Sequence, residues 1–136
     1  MTAPLPATEV PGPETPATGH PIRLTIDGTD FAGTLSDNPS TNGLLALLPL
    51  TLSLRDFNGV EKTAALPSPL ILDGVPRGAD PELYYIGYYA PDQVLVLYYG
   101  DVGFYNGIVR LGRFDPAAAD LIRNLPDDTT ITLTAN

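Results

Sequence analysis

Few side chains in this chain of 136 residues are equipped for chemistry, and its single lysine is the most conspicuous of them. Strict alternation puts Lys62 on one strand face with Val60, Ala64 and Leu66, where a bare ammonium is costly. Either a bulge returns it to solvent, or it points into a mouth or cavity beside a carboxylate such as Glu61 or Asp56. The tyrosines fall in three adjacent pairs, Tyr84-Tyr85, Tyr88-Tyr89 and Tyr98-Tyr99, with Tyr105 alone. In a strand one member of each pair faces the core and the other faces out. Four outward rings on neighbouring strands would make a platform for apolar or proline-containing groups; the plainer alternative is core filling plus ordinary surface tyrosine. Asp27 with Asp30 and Asp127 with Asp128 lack calcium-loop spacing and read as solvated turns. The run YYGDVGFYNG leads into a strand and not into a helix N-terminus, so it reads as a turn and not as a phosphate cradle. By alternation Arg110 and Arg113 fall on opposite faces of one strand, which rules out a shared anion clamp.

What is missing narrows the chemistry further. With no cysteine there is no thiolate nucleophile, disulfide or zinc-thiolate site, and His20, the one histidine, lies in a tail-like segment. No metal site, cofactor or histidine-dependent triad is expected. A net charge of −9, from 16 carboxylates against 7 cations, opposes binding to nucleic acid or to anionic lipid. No apolar run approaches the ~18 residues of a membrane span.

Residues 1–21 hold six of the fifteen prolines, with Glu9 and Glu14 and no Lys or Arg. Such a segment buries too little surface to offset its ordering entropy, so it reads as a disordered leader before a domain at 22–136. It has no cationic start or continuous apolar stretch, hence no secretory signal, and a cytoplasmic location is expected. In the domain, Ile22, Leu24 and Ile26 alternate with polar residues before Asp27-Gly28, and the period of two resumes through Phe31, Gly33 and Leu35. This predicts a hairpin, and LTLSL, Asn58-Gly59 and VEKTAAL predict a second. Asp37 or Asn38 followed by Pro39 opens a helix over 39–48, and Asp115-Pro116 opens another over 116–125. Residues 67–81 read as a long connecting loop of the kind that often carries function. YYIGYY, VLVLYY, FYNGIVRLGRF and ITLT complete seven or eight strands, VLVLYY being apolar on both faces as in a central strand. The fold class is all-β, a small closed barrel with two short helices, with a two-sheet sandwich as the alternative.

Several of these segments, LPLTLSLRDFNGVEK and YYGDVGFYNGIVRLGRFD above all, resemble the cyclophilin-like proteins of unknown function, small bacterial domains on a shortened cyclophilin barrel. The resemblance covers about residues 22–136 and includes Asp37-Asn38-Pro39, Asp56, Asn58-Gly59, Glu61-Lys62, Leu66-Pro67, Tyr88-Tyr89, Tyr99, Tyr105 and Leu111-Gly112. It implies an eight-stranded barrel with two helices. Relatives carry Gly-Asp where this chain has Tyr84-Tyr85. Cyclophilins proper bind the proline carbonyl with an arginine, and the matching stretch Lys62-Thr63-Ala64-Ala65-Leu66-Pro67 has none. The resemblance therefore implies a shape more than an activity.

The function expected is a non-catalytic module binding a peptide or small molecule beside the 67–83 loop. Tyr88, Tyr99 and Tyr105 would stack on the ligand, Lys62 or Arg55 would supply a charge, and Asp101 an acceptor. The alternative is weak prolyl isomerase activity with Arg55 polarising the amide, although Arg55 belongs to the polar set Thr51, Ser53, Arg55 of its strand.

Overall fold

A computed structural model describes residues 19–136. Ten strands follow in chain order: β1 (His20–Ile26), β2 (Thr29–Leu35), β3 (Leu50–Phe57), β4 (Glu61–Ala65), β5 (Gly78–Ala79), β6 (Tyr85–Tyr89), β7 (Val94–Tyr98), β8 (Tyr105–Asn106), β9 (Ile108–Phe114) and β10 (Thr129–Ala135). Eight of them close an antiparallel barrel in the order β1-β10-β3-β4-β7-β6-β9-β2, while β5 and β8 form a separate two-stranded ribbon. Both expected hairpins form. Asp27-Gly28 and Asn58-Gly59 take positive φ at both positions (54° and 81°, 57° and 68°), the geometry that matches strand twist in a two-residue turn.

Helix α1 (Pro39–Leu47) starts at Asn38, whose side chain accepts the Thr41 N–H while the Thr41 hydroxyl accepts the Asn38 N–H. The second helix is shorter than expected. Asp115 caps a 3-10 turn, Pro116–Ala118, which continues into α2 (Ala119–Arg123). Leu44 of α1 and Ala118, Ala119 and Ile122 of the second helical segment pack into the same core as Ile22, Leu24, Ile26, Leu52, Leu54, Leu95, Leu97, Leu111, Ile131 and Leu133. The barrel interior is thus filled by side chains. β1 begins at His20, two residues before the boundary read from composition, and His20 pairs with Leu35. The rest of the leader reading, on residues 1–18, lies outside the described residues.

Two further expectations need correction. The 67–81 stretch is not a plain loop: it carries β5, places Leu70 in the core, and offers the Ile71 carbonyl to the Ser40 hydroxyl. Arg110 and Arg113 do not point to opposite faces. Ile86 pairs with Gly112 but Gly87 with Arg110, so Leu111 is an extra residue in β9 and the alternation slips by one. Both guanidinium groups consequently lie 5.4 Å from the centre of the Tyr85 ring. Among the described residues no helix is long and apolar enough to cross a membrane.

Candidate functional site

The β3–β4 hairpin places ionisable groups both inside and outside the barrel. Lys62 points inward and is 3% exposed, as its apolar face requires, and no bulge rescues it. Its ammonium donates to the Leu125 carbonyl at 2.8 Å, just beyond α2, and lies 3.2 Å from the Asp56 carboxylate. Asp56 also accepts the Tyr99 hydroxyl and, at 3.0 Å, the Gly59 N–H. The Tyr99 bond does most to hold the Asp56 carboxyl below the ordinary carboxylate range, against the opposing effect of burial, with Gly59 and Lys62 adding to it. Burial, then the bond to Asp56, pushes the Tyr99 phenol up to about 12. Every member of this cluster has its partner, and together they tie the β3–β4 hairpin to Tyr99 and to the Leu125 carbonyl beyond α2.

Neighbouring residues of the same strands face the other way. Glu61 is directly opposite Tyr98 across the β4–β7 ladder, and Thr63 opposite Val96. On β6, Ile86 and Tyr88 go inward, so Gly87 and Tyr89 go outward. The Tyr98 ring lies over Gly87: a β-carbon there would be 2.7 Å from Tyr98 Cε2 and 3.3 Å from its hydroxyl. Chain between β7 and β9 then swings out to form a wall. Gly100 packs on Val60, with its N–H donating to the Val60 carbonyl at 2.8 Å, and β8 pairs with β5. The return is pinned at Gly107, whose carbonyl accepts the Ala90 N–H at 3.0 Å and whose N–H donates to the Arg77 carbonyl at 2.9 Å.

Between barrel and wall lies a cavity of about 460 Å³. Barrel strands and their turns contribute Phe57, Asn58, Val60, Glu61, Thr63, Tyr89, Asp92, Val94, Tyr98 and Ile108 to its lining, and the wall contributes Val102 and Tyr105. The rings of Tyr89 and Tyr105 are 6.1 Å apart and tilted by 50°. The Tyr98 side chain is 1% exposed, yet its hydroxyl forms no hydrogen bond with any described residue. Partly buried Glu61 likewise has neither a hydrogen-bond donor nor a cation among the described residues. Burial first, and the Asp56 charge second, push the Glu61 carboxyl up to about 7. Burial, with Glu61 and Tyr89 behind it, pushes the Tyr98 phenol well above its usual range.

Of the six residues expected to bind a ligand, Tyr105 alone lines this cavity. Tyr88 and Tyr99 are the inward members of their pairs, 1% and 5% exposed, and cannot stack on anything from outside. Tyr88 instead accepts the Leu70 N–H at 3.2 Å. Lys62 faces the interior, and Asp101 accepts the Gly103 N–H on the outer side of the wall segment. Arg55 is exposed on β3, 3.8 Å from both Asp127 and Asp128. The 67–83 stretch contributes no lining residue, although its β5 braces β8 from behind. Sequence reasoning missed Glu61, Tyr89 and Tyr98 as members of a site. Among the described residues no group of three or more His, Asp or Glu is placed to hold a metal ion.

A profile of the Cyclophilin-like family matches residues 24–134. No curated protein matches the chain. Among solved structures, the solution structure of the hypothetical protein AF2241 from Archaeoglobus fulgidus superposes with a TM-score of 0.63 at 11% identity, covering 91% of this chain and 100% of that one. At that identity the likeness concerns the fold alone.

Proposed function

The chain belongs to the cyclophilin-like family, and from that premise we propose that it is a binding module whose ligand sits in the outer cavity between barrel and wall. The ligand is a small apolar molecule, or an apolar side chain of a peptide, that brings a polar group with it. One observation carries this reading: Tyr98 keeps a buried hydroxyl with no partner among the described residues in the lining of an open cavity, which Glu61, its pair across the ladder and likewise without a partner among them, also lines. Buried polar groups are nearly always satisfied, and leaving one bare costs on the order of 1–3 kcal/mol. A ligand that supplies the missing bonds recovers that cost on binding. The cavity falls within the usual range for small-molecule sites, and the aromatic rings in its lining suit an apolar body.

Chemical-shift mapping on the full chain tests the reading, with 2-phenylethanol and a short proline-containing peptide as probes. Perturbations centred on residues 60–63, 89, 98, 105 and 108 are the expected result; shifts confined to other surfaces for both probes would refute it. The prolyl isomerase alternative relied on Arg55, which is ion-paired outside the cavity, and no Lys or Arg lines the cavity itself. A protease-coupled isomerisation assay with the same peptide decides that alternative, for which acceleration abolished by Arg55→Ala is the required outcome.

A further inference from the structure

The lining groups restrict what the ligand's polar end can be, an inference that rests on the binding reading just given. Glu61 and Asp92 are carboxylates, which only accept hydrogen bonds when ionised, while Tyr98, Thr63 and Asn58 can donate or accept. With no Lys, Arg or His in the lining and a net charge of −9 on the chain, an anionic ligand meets repulsion both at the site and on approach. A neutral donor would satisfy Tyr98 but leave the Glu61 charge uncompensated in a partly desolvated position. A cation does both. The electron-rich faces of Tyr89 and Tyr105, with Phe57 at the rim, also attract a cation or its aromatic body.

We propose that the ligand is a protonated amine on an apolar, aromatic-sized body, with the ammonium donating to Glu61 and to the Tyr98 oxygen and the body packed against the Tyr89–Tyr105 pair. Glu61 is the anchor and Tyr98 its partner across the ladder. The groups around Glu61 are Asp56 on β3, Tyr98 on β7, Tyr89 on β6, Asp92 in the following 3-10 turn and Tyr105 on β8. None is a cation, and Lys62 is turned into the barrel, so no described residue competes for the anchor. Because Glu61 titrates near 7, the anchor is mostly ionised at pH 8 and mostly protonated at pH 6. An alkylamine with a pKa of about 10 stays charged over that range.

The test is calorimetry and shift mapping on the full chain with three probes of one shape: 2-phenylethylamine, 2-phenylethanol and 3-phenylpropanoate. The amine is expected to bind with shifts at residues 61, 89, 98 and 105, about ten-fold or more tighter than the alcohol, with the carboxylate silent. Its affinity should fall about ten-fold from pH 8 to pH 6, while that of the alcohol stays level. Glu61→Gln should remove both the amine preference and its pH dependence, bringing the amine down to the affinity of the alcohol, and Tyr98→Phe should weaken amine and alcohol together. Equal binding of amine and alcohol, or a Glu61→Gln variant that keeps the preference, overturns the amine assignment and leaves the binding site standing. Silence from all three probes also overturns the assignment. The binding site falls with it only if the proline-containing peptide is silent as well.

Discussion

Asp56 and Glu61 flank one tight turn, and their surroundings have made opposite acids of them. Asp56 takes hydrogen bonds from Tyr99, Gly59 and Lys62 and stays ionised below the ordinary range; Glu61, one pleat away on the outer face, has no donor among the described residues and titrates near 7. Tyrosines follow the same division: Tyr99 inside donates to Asp56, whereas the neighbouring Tyr98 hydroxyl outside has no partner among the described residues. The contrast separates structural from ligand-facing polar groups by what each is still missing. Exposure ranks them the wrong way round, since Tyr98 is as buried as any core residue.

The largest expected effect comes from breaking the satisfied side. Asp56→Asn leaves the Lys62 ammonium buried without its counter-charge and should cost about 3 kcal/mol, whereas Lys62→Met, which removes the charge and keeps the volume, should cost less than half as much. Urea denaturation of both variants checks this, and equal losses would erase the distinction. Asp56 has a depressed folded-state pKa, so its contribution is present above the ordinary carboxylate value of 3.8 and is lost as pH falls through the lower folded value. Acid denaturation of the Asp56→Asn variant should lack that component.

Next in size is Gly87→Ala. Its β-carbon would arrive 2.7 Å from Tyr98 Cε2, and lifting the ring should cost about 2 kcal/mol and reshape the cavity, read as a lower melting temperature with displaced Tyr98 ring resonances. Glu61→Gln acts in the opposite direction. The folded-state pKa is raised from 4.5 to about 7, so between those values the unfolded chain releases a proton that the folded one keeps, and stability falls as pH rises. The variant should therefore be more stable than the parent at pH 8, by about 1 kcal/mol given the solvent reaching the side chain, and no more stable at pH 4. Paired thermal melts at the two pH values decide it. Tyr105→Ala should change stability by less than about 0.5 kcal/mol, because the ring is 59% exposed, while weakening 2-phenylethylamine several-fold in calorimetry.

Strand identity, both Asx-Gly turns and the capping residues were legible because each depends on neighbours within a few positions. Alternation put Lys62 on the apolar face but left open whether a bulge would return it to solvent or the ammonium would go inward beside a carboxylate, and the same alternation put Glu61 and Thr63 on the other face. What it could not tell was who would meet them: Glu61 and Tyr98 are brought together by the β4–β7 ladder, and no local pattern encodes that pairing. Choosing between members of each tyrosine pair failed for a related reason, since β6 and β7 turn different members inward, Tyr88 but Tyr99. Gly87 was the one readable clue. A glycine inside a strand marks the close approach of another group, here the Tyr98 ring. Arg110 and Arg113 show the limit of counting by twos, because one extra residue in β9 undoes it.

The wall facing the cavity belongs to a single detour of the chain, leaving β7 at Gly100 and rejoining β9 at Gly107, with Val102 and Tyr105 as its contribution to the lining. None of the eight barrel strands owes its register to that detour. Residues exchanged between the two glycines would widen or narrow what fits without removing a single ladder hydrogen bond of the closed barrel.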